Sequence, residues 1–178
     1  EGVGSGGADG SAAGTPDGLR YLLWARDLER IADHAVQIGE HGARLNEASP
    51  PDSVRRLLSS YHGQALEHLR ASQAVALAPD ARKANDLLDL GEALHQTEAV
   101  LADRILLRGS GERLAAPAIR SLGLILQSID RTTAYAQNLA EIGLDRDVER
   151  HERAPLRPTE PLPSLSSIDP TRGGIPSA

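Results

Sequence analysis

Proline- and glycine-rich breaks divide the central part of the chain into four long segments. The breaks lie at 15–16, 49–51, 79–80 and 109–111. Between them, apolar residues recur every three or four positions, which is the spacing of one helix face and not the alternation of a strand. The pattern predicts an all-α protein whose helices span about 17–48, 53–77, 80–108, and from Glu112 or Pro117 to about Gly143.

The residues available for a core favour the same fold class. The chain has no Phe, Met or Cys and only 2% aromatic residues, so Leu and Ala must supply most of the packing. These residues suit helices better than sheets. Without cysteine there are neither disulfides nor thiolate metal sites, so a metal ion would need Asp, Glu or His ligands. This is compatible with a reducing compartment, and we expect a cytoplasmic protein.

Charge and hydropathy argue against two classes of partner. The formal net charge is −6, which disfavours nucleic-acid binding through this region. No uninterrupted apolar run reaches the ~18 residues of a membrane-spanning helix. We therefore expect no nucleic acid on this surface and no membrane insertion.

Both ends of the chain differ in composition from the segments between them. Residues 1–16 are mostly Gly, Ala and Ser, which predicts a flexible linker. Residues 146–178 begin with charged residues and continue with Pro, Ser and Thr, which predicts a disordered tail. Because the chain begins with Glu1 rather than Met, we expect it to be a fragment or a processed product.

A pair of carboxylates in the first helix marks a candidate site. Glu29 and Asp33 are four residues apart and therefore share one helix face. Beside them runs an apolar stripe of Leu28, Ile31, Ala35 and Ile38. Like charges at this spacing repel each other unless a cation lies against them. The pair predicts either a metal ion or neutralisation by the neighbouring Arg26 and Arg30.

The first helix has an internal echo in the fourth. Residues 25–40, ARDLERIADHAVQIGE, align with residues 126–141, LQSIDRTTAYAQNLAE. Because two helices lie between the copies, the repeating unit is a three-helix bundle. We therefore expect one complete unit at 53–145, preceded at 17–48 by the last helix of an earlier unit.

The segment LERIADHAVQIGE, at 28–40, resembles the signature helix of PhoU, a family of phosphate-uptake regulators built from two three-helix bundles. That signature pairs an acid with an Asp four residues later, followed by small residues and a final acid. The second copy, SIDRTTAYAQNLAE, resembles that of archaeal relatives that carry an AbrB-like domain ahead of the PhoU helices. The resemblance covers about 17–145.

The resemblance implies a regulator of phosphate uptake and phosphate homeostasis that acts by protein–protein contact. The partners that it implies are the phosphate transporter ATPase and regulatory proteins such as signalling kinases. The AbrB-like relatives imply transcriptional control instead. We also expect a homodimer as one outcome, because the helix at 17–48 lacks its bundle mates. That helix must either fold onto the remaining bundle or pair with a second chain.

Some members of the family bind multinuclear metal clusters through paired acids on the bundle surface. Glu29 and Asp33 match that motif, whereas Asp130 matches only its first acid, because Ala134 follows four residues later. On the middle helix, Asp89 is the best match, again without an acid four residues on. The resemblance thus implies that Glu29, Asp33, Asp130 and Asp89 are metal ligands. The ions that it implies are divalent ions, iron or zinc, and it implies no other cofactor.

Two further functions are open to an all-α chain. A ferritin-type metal bundle requires Glu-x-x-His pairs on two inward-facing helices, and we expect no Glu-x-x-His pair in this chain. A helical dimerisation module of a DNA-binding regulator is compatible with the Gly-rich start, and it predicts dimers without metal and without a phosphate role. We expect no enzyme, because the spacing indicates neither a Ser–His–Asp arrangement nor another activated nucleophile.

Overall fold

The computed structural model describes residues 16–104 and 114–153, and it confirms the all-α fold. Within those residues the chain forms four helices: α1 (Pro16–Glu47), α2 (Asp52–Leu77), α3 (Ala81–Ala102) and α4 (Ala116–Arg153). None of the four combines the length and the apolar character that crossing a membrane requires.

The proline breaks set the helix ends as the sequence predicts. α1 ends before the break at 49–51, where Ser49 adopts a φ of 48° and turns the chain. The Asp80 side chain caps α3 by accepting a hydrogen bond of 3.1 Å from the Lys83 backbone N–H. Pro117 lies in the first turn of α4, where its missing N–H leaves no bond unmade. The later of the two predicted starts is therefore confirmed.

The predicted end of α4 near Gly143 is wrong, because the helix continues to Arg153. The first residues of the predicted disordered tail, from 146 onward, are therefore helical. Gly143 is not a terminator but a packing residue that lies against Val75 of α2. The added turns are held by Arg146, which donates a 2.6 Å hydrogen bond to the Ala76 carbonyl.

Other sequence predictions concern residues outside the described ranges. These are the linker at 1–15, the tail beyond 153, the last turn predicted for the third helix at 105–108, and the glycine break at 109–111.

α4 is the central helix of the bundle. It packs along α1, α2 and α3, and α2 also packs against α3. Helices α2, α3 and α4 thus form a three-helix bundle, to which α1 is attached chiefly through α4. Of the two arrangements expected for the first helix, folding onto the bundle is the one present within this chain.

Leucine and alanine fill most of the core, in line with the composition. The largest cluster joins the three-helix bundle to the C-terminal part of α1 and consists of Leu45, Val54, Tyr61, Ala65, Leu94, Leu101, Ala118, Leu122, Ile125, Leu126 and Ile129. In a second cluster, Trp24 and Ile31 of α1 pack against Leu69 and Leu139. Complete burial of a leucine side chain stabilises the fold by about 1.5–3 kcal/mol relative to leaving that side chain exposed.

α1 buries only part of the apolar stripe that runs beside the carboxylate pair. Ile31 and Ile38 are half-buried as expected, but Leu28 is 37% exposed and Ala35 is exposed as well. Asp27 is buried in their place. The buried side of α1 therefore includes Asp27 but not Leu28 or Ala35, and one apolar flank of α1 faces solvent.

Candidate functional site

The carboxylate pair of α1 lies on the outside of the bundle. Glu29 and Asp33 are both exposed. Asp33 Oδ2 lies 3.6 Å from Arg30 Nη1, which is a solvent-exposed ion pair within one helical turn. Glu29 has no hydrogen-bonding or charged partner among the described residues. Arg30 therefore neutralises Asp33 but not Glu29.

Asp130 projects from α4 toward α3, where it pairs with His95. Asp130 Oδ1 lies 2.8 Å from His95 Nδ1. The hydrogen bond and the negative charge of Asp130 raise the pKa of His95 above its usual value. This predicted ligand thus has a partner supplied by the chain itself.

Two less exposed groups border the pair of Asp130 and His95. Glu98 of α3 is half-buried, and burial followed by the nearby charge of Asp130 raises its pKa. Tyr61 of α2 is 1% exposed, and its hydroxyl meets no hydrogen-bond partner in the described part of the chain. Burial, Asp130 and Glu98 together raise the pKa of Tyr61 above its ordinary range. The neighbourhood therefore keeps the phenol neutral.

Asp89 lies on the solvent side of α3, in a row of exposed acids with Asp86 and Glu92. Glu92 accepts a 3.1 Å hydrogen bond from Gln96. The expectation that the sequence contains no Glu-x-x-His pair is wrong, because Glu92 and His95 form one. Both side chains are exposed, so they do not face inward as a ferritin-type site requires.

The four predicted ligands do not fit a metal cluster. Glu29 and Asp33 lie on α1, Asp130 turns toward α3, and Asp89 lies on the outer side of α3. Across 16–104 and 114–153, no three His, Cys, Asp or Glu side chains are grouped to hold a metal ion. A carboxylate pair completed only by water binds weakly. The geometry gives the multinuclear cluster no support, and the ligand assignment stays a prediction.

A buried carboxylate that the sequence analysis overlooks joins α1 to α4. Asp27 is 1% exposed, and its Oδ2 accepts a 3.1 Å hydrogen bond from Asn138. Its Oδ1 lies 3.2 Å from Arg26 Nη2. From the sequence of the first helix alone, a charged residue such as Asp27 is expected at the surface. Its burial becomes understandable only once Asn138 of α4 is known to face it.

A second polar contact mirrors the first across the same interface. Ser128 of α4 donates a 3.2 Å hydrogen bond to Gln37 of α1. In the alignment of the two copies, Asp27 corresponds to Ser128 and Gln37 corresponds to Asn138. The two signature helices therefore pack antiparallel about a local two-fold axis, and equivalent positions exchange their contacts. This reciprocity is the geometric counterpart of the sequence repeat.

An apolar groove runs between α1 and α2. Its volume is ≈ 270 Å³, and Ile129 and Thr132 of α4 lie at its floor. The α1 wall carries Ile31, Ala35, Ile38 and Gly39, and the α2 wall carries His62, Ala65, Leu66 and Leu69. A smaller cavity of ≈ 160 Å³ shares Ile38, His62 and Ile129 with the groove and extends it toward Gly42 and Leu58.

The solvent side of α1 next to this groove is also apolar. Leu22 is 57% exposed and Val36 is 61% exposed, values typical of surface residues rather than of core residues. Tyr21 is 62% exposed and stacks on Trp24 with ring centroids 6.3 Å apart. The groove and this flank together give α1 an apolar surface that extends from the groove to its solvent side.

No protein-family model matches the chain, and no curated protein or solved structure shows significant similarity to it.

Proposed function

We propose that this chain is a non-catalytic regulator that acts by binding other proteins, and that the process it regulates is phosphate uptake. The observation that carries the contact role is the uncharged outer flank of α1. Its exposed residues are Tyr21, Leu22, Ala25, Leu28, Ala32, Ala35, Val36 and Gly39. Contiguous exposed apolar surface of this kind marks an interaction site rather than an ordinary protein surface.

The phosphate role rests on the resemblance of residues 28–40 to the PhoU signature. Two features of the fold are compatible with it. α2, α3 and α4 pack as one three-helix unit, and α1 packs against α4 through reciprocal contacts between equivalent positions. A chain with an extra signature helix beside a three-helix unit is what part of a two-unit protein would contain.

The proposal assigns the regulatory role to contact and not to a metal cluster. Asp33 and Asp130 already have cationic or hydrogen-bonding partners in Arg30 and His95. Replacing the acids therefore has less effect on a contact-acting regulator than charging the apolar flank of α1.

The test compares phosphate uptake in a strain that lacks the gene with strains that carry variants of it. Val36→Glu places a charge on the flank, and we expect it to behave like the deletion. Val100→Glu is the matched control, because Val100 is 65% exposed on α3 and lies away from the flank. Glu29→Ala with Asp33→Ala is expected to retain regulation. Unchanged phosphate uptake in the deletion strain would refute the phosphate role.

A second function, a dimerisation module of a DNA-binding regulator, is favoured by the same uncharged flank. It differs in its readout. In that case Val36→Glu abolishes dimers and operator binding by the full-length product, whereas phosphate uptake stays the same in the deletion strain.

A further inference from the structure

The exposed flank of α1 contains a row of residues spaced as in a helix-pairing seam. Alternating steps of four and three residues connect seven uncharged positions, the α1 seam: Tyr21, Ala25, Leu28, Ala32, Ala35, Gly39 and Gly42. This alternation is the a/d spacing that keeps two supercoiled helices in contact along their length. The first six are exposed and Gly42 is half-buried, so the row is open to solvent over several turns.

The α1 seam is the counterpart of a face that α4 buries. The same alignment of the two copies places the seven seam positions over Leu122, Leu126, Ile129, Thr133, Ala136, Ala140 and Gly143. All seven of these α4 residues are buried. α4 uses this face to bind its neighbours, whereas the corresponding face of α1 is covered by none of the described residues, and only its Ala35 and Gly39 border the groove toward α2.

The glycines of the seam have no packing role among the residues that the structure describes. A Cβ added at Gly39 or Gly42 would meet no atom within 4 Å. The equivalent Gly143 differs, because a Cβ there would lie 2.5 Å from the Val75 side chain. Glycine inside a helix destabilises it relative to alanine, and it is typical of places where another backbone approaches closely. The seam is therefore shaped for a helix that residues 16–104 and 114–153 of the same chain do not supply.

We propose that the α1 seam is closed by the α1 seam of a second copy of this chain, with the two helices parallel about a two-fold axis. The inference rests on the proposed contact role of this flank and names its occupant. A second copy is the occupant because it brings the same uncharged seam of the same length, as an isologous interface requires. Its α1 helix then lies over the groove between α1 and α2.

The charges beside the seam favour the parallel orientation. The edge of α1 on the far side of the seam from the groove carries Glu29 and Glu40, of which Glu40 pairs with Arg44. The outer edge of α2 across the groove carries Arg56 and Arg70, of which Arg70 pairs with Glu67. Glu29 thus leaves the α1 edge net acidic, and Arg56 leaves the α2 edge net basic. Parallel helices about a two-fold axis bring the acidic edge of each copy to the basic edge of the other. Antiparallel helices would bring acid to acid and base to base, which opposes association.

The available surface is close in size to one side of a standard dimer interface. From Tyr21 to Gly42 the seam is about 33 Å long at 1.5 Å per residue. Together, α1 and the adjoining edge of α2 form a strip about 20 Å wide, at the usual spacing of packed helices. The strip approaches the ~800 Å² per partner of a standard interface.

The first test measures association by sedimentation equilibrium. We expect the chain to be a dimer at micromolar concentration, and Ala32→Glu at the centre of the seam to raise the dissociation constant at least about tenfold. Ala93→Glu is the matched control, because Ala93 is an exposed alanine in the middle of α3. Circular dichroism of each variant checks that the helices remain folded. A monomer at all concentrations would overturn the proposal.

The second test determines orientation, and the absence of cysteine from the sequence makes it clean. Single variants Ala25→Cys, Ala32→Cys and Gly39→Cys are oxidised in separate samples. In a parallel pair each cysteine faces the cysteine at the same position of the other chain, so all three variants form disulfide-linked dimers. In an antiparallel pair centred on Ala32, the two Ala25 positions are about 21 Å apart, and only the central variant cross-links. That second result, or equal cross-linking of Ala93→Cys, would overturn the parallel seam.

The two proposals fail in distinguishable ways. A strict monomer whose Val36→Glu variant still loses phosphate regulation would remove the second copy and leave the contact role in place. An intact parallel dimer in a protein whose deletion leaves phosphate uptake unchanged would support the seam and remove the phosphate role.

Discussion

At the scale of single residues, the interface between α1 and α4 depends on a carboxylate that is almost completely buried. Asp27 is 1% exposed and is held by Asn138 and Arg26. A buried charge is tolerated only when its hydrogen bonds are made. The Asp27–Asn138 pair therefore specifies how α1 sits on α4, because sliding or rotating α1 would break the pair.

We expect Asn138→Ala to destabilise the fold by about 1–3 kcal/mol, because it leaves Asp27 Oδ2 buried without its partner. The measurement is the free energy of unfolding in urea. Asn85→Ala is the control, since Asn85 is exposed on α3, and its loss is expected to stay within about 0.5 kcal/mol. Equal losses in the two variants would show that the bond to Asp27 does not matter.

A buried histidine gives the protein a dependence on pH. His68 of α2 is 1% exposed; its Nε2 lies 3.0 Å from the Leu87 carbonyl oxygen, while its Nδ1 meets no partner among the described residues. Burial lowers the pKa of His68 from 6.5, although the bond to Leu87 opposes that shift. Below about that pH the unfolded chain takes up a proton that the folded chain does not, so stability falls on acidification.

We expect His68→Gln to flatten this loss between about pH 7.5 and 5.5, by at most about 1.4 kcal/mol per pH unit. The readout is the slope of unfolding free energy against pH, so a lower overall stability of the variant does not obscure it. His95 acts in the opposite direction, because Asp130 raises the pKa of His95. His62→Gln, at an exposed position of α2, is the control, and an unchanged slope in His68→Gln would contradict the assignment.

At the scale of helices, glycine has different roles on different elements. Gly143 lets α4 approach α2, because a Cβ there would lie 2.5 Å from the Val75 side chain and 2.8 Å from its carbonyl oxygen. Gly63 of α2 has open space around it. The same residue type is thus required by packing at one position and costs helix stability at the other.

We expect Gly143→Ala to destabilise the protein by about 1–3 kcal/mol, because the backbone of α2 must move away. Gly63→Ala is expected to stabilise it by about 0.5–1 kcal/mol through helix propensity alone. Thermal unfolding of the two variants side by side checks both signs. Stabilisation by both substitutions would mean that α4 does not approach α2 as closely as described.

The same glycine explains where sequence reasoning reached its limit at this scale. The prolines at 50–51, 79 and 117 locate helix ends because their effect on the backbone is local. Gly143 reads as a helix end by the same local rule, yet its role depends on Val75, which is distant in sequence. Asp27 was overlooked for the same reason, since only Asn138 on another helix makes its burial favourable.

In the candidate site, too, the sequence predicts features within one helix but not contacts between helices. The spacing of Glu29 and Asp33 correctly predicts that they share an exposed helix face, and Arg30 neutralises Asp33 as one of the two expected outcomes. No local pattern indicates that Asp130 would meet His95 of a different helix. Contacts between elements therefore decide which acids remain available, and a single helix does not encode them.

At the scale of the whole molecule, α1 packs against fewer helices than the other three do. It packs chiefly on α4, whereas α2 and α3 each pack on α4 and on each other. Local opening of α1 therefore exposes less core than opening of any helix of the three-helix unit.

We expect the amides of α1 between about residues 20 and 30 to exchange with deuterium faster than those of α4 between about 122 and 140, because α1 opens without disrupting the three-helix unit. Mass spectrometry of peptic fragments gives the rates. A second copy on the seam would slow exchange in α1 as the protein concentration rises, and the α4 peptides serve as the internal control. Uniform exchange across all helices would indicate a single cooperative unit.

The central position of α4 also has a consequence for how the chain is made. α4 is the last of the four described helices to leave the ribosome, and it is the one against which α1 packs. During synthesis, therefore, the apolar residues of α1 that contact α4 stay in water until α2, α3 and α4 have been translated. Translation speed and chaperone supply then govern how much of the newly made protein reaches the native bundle before it aggregates.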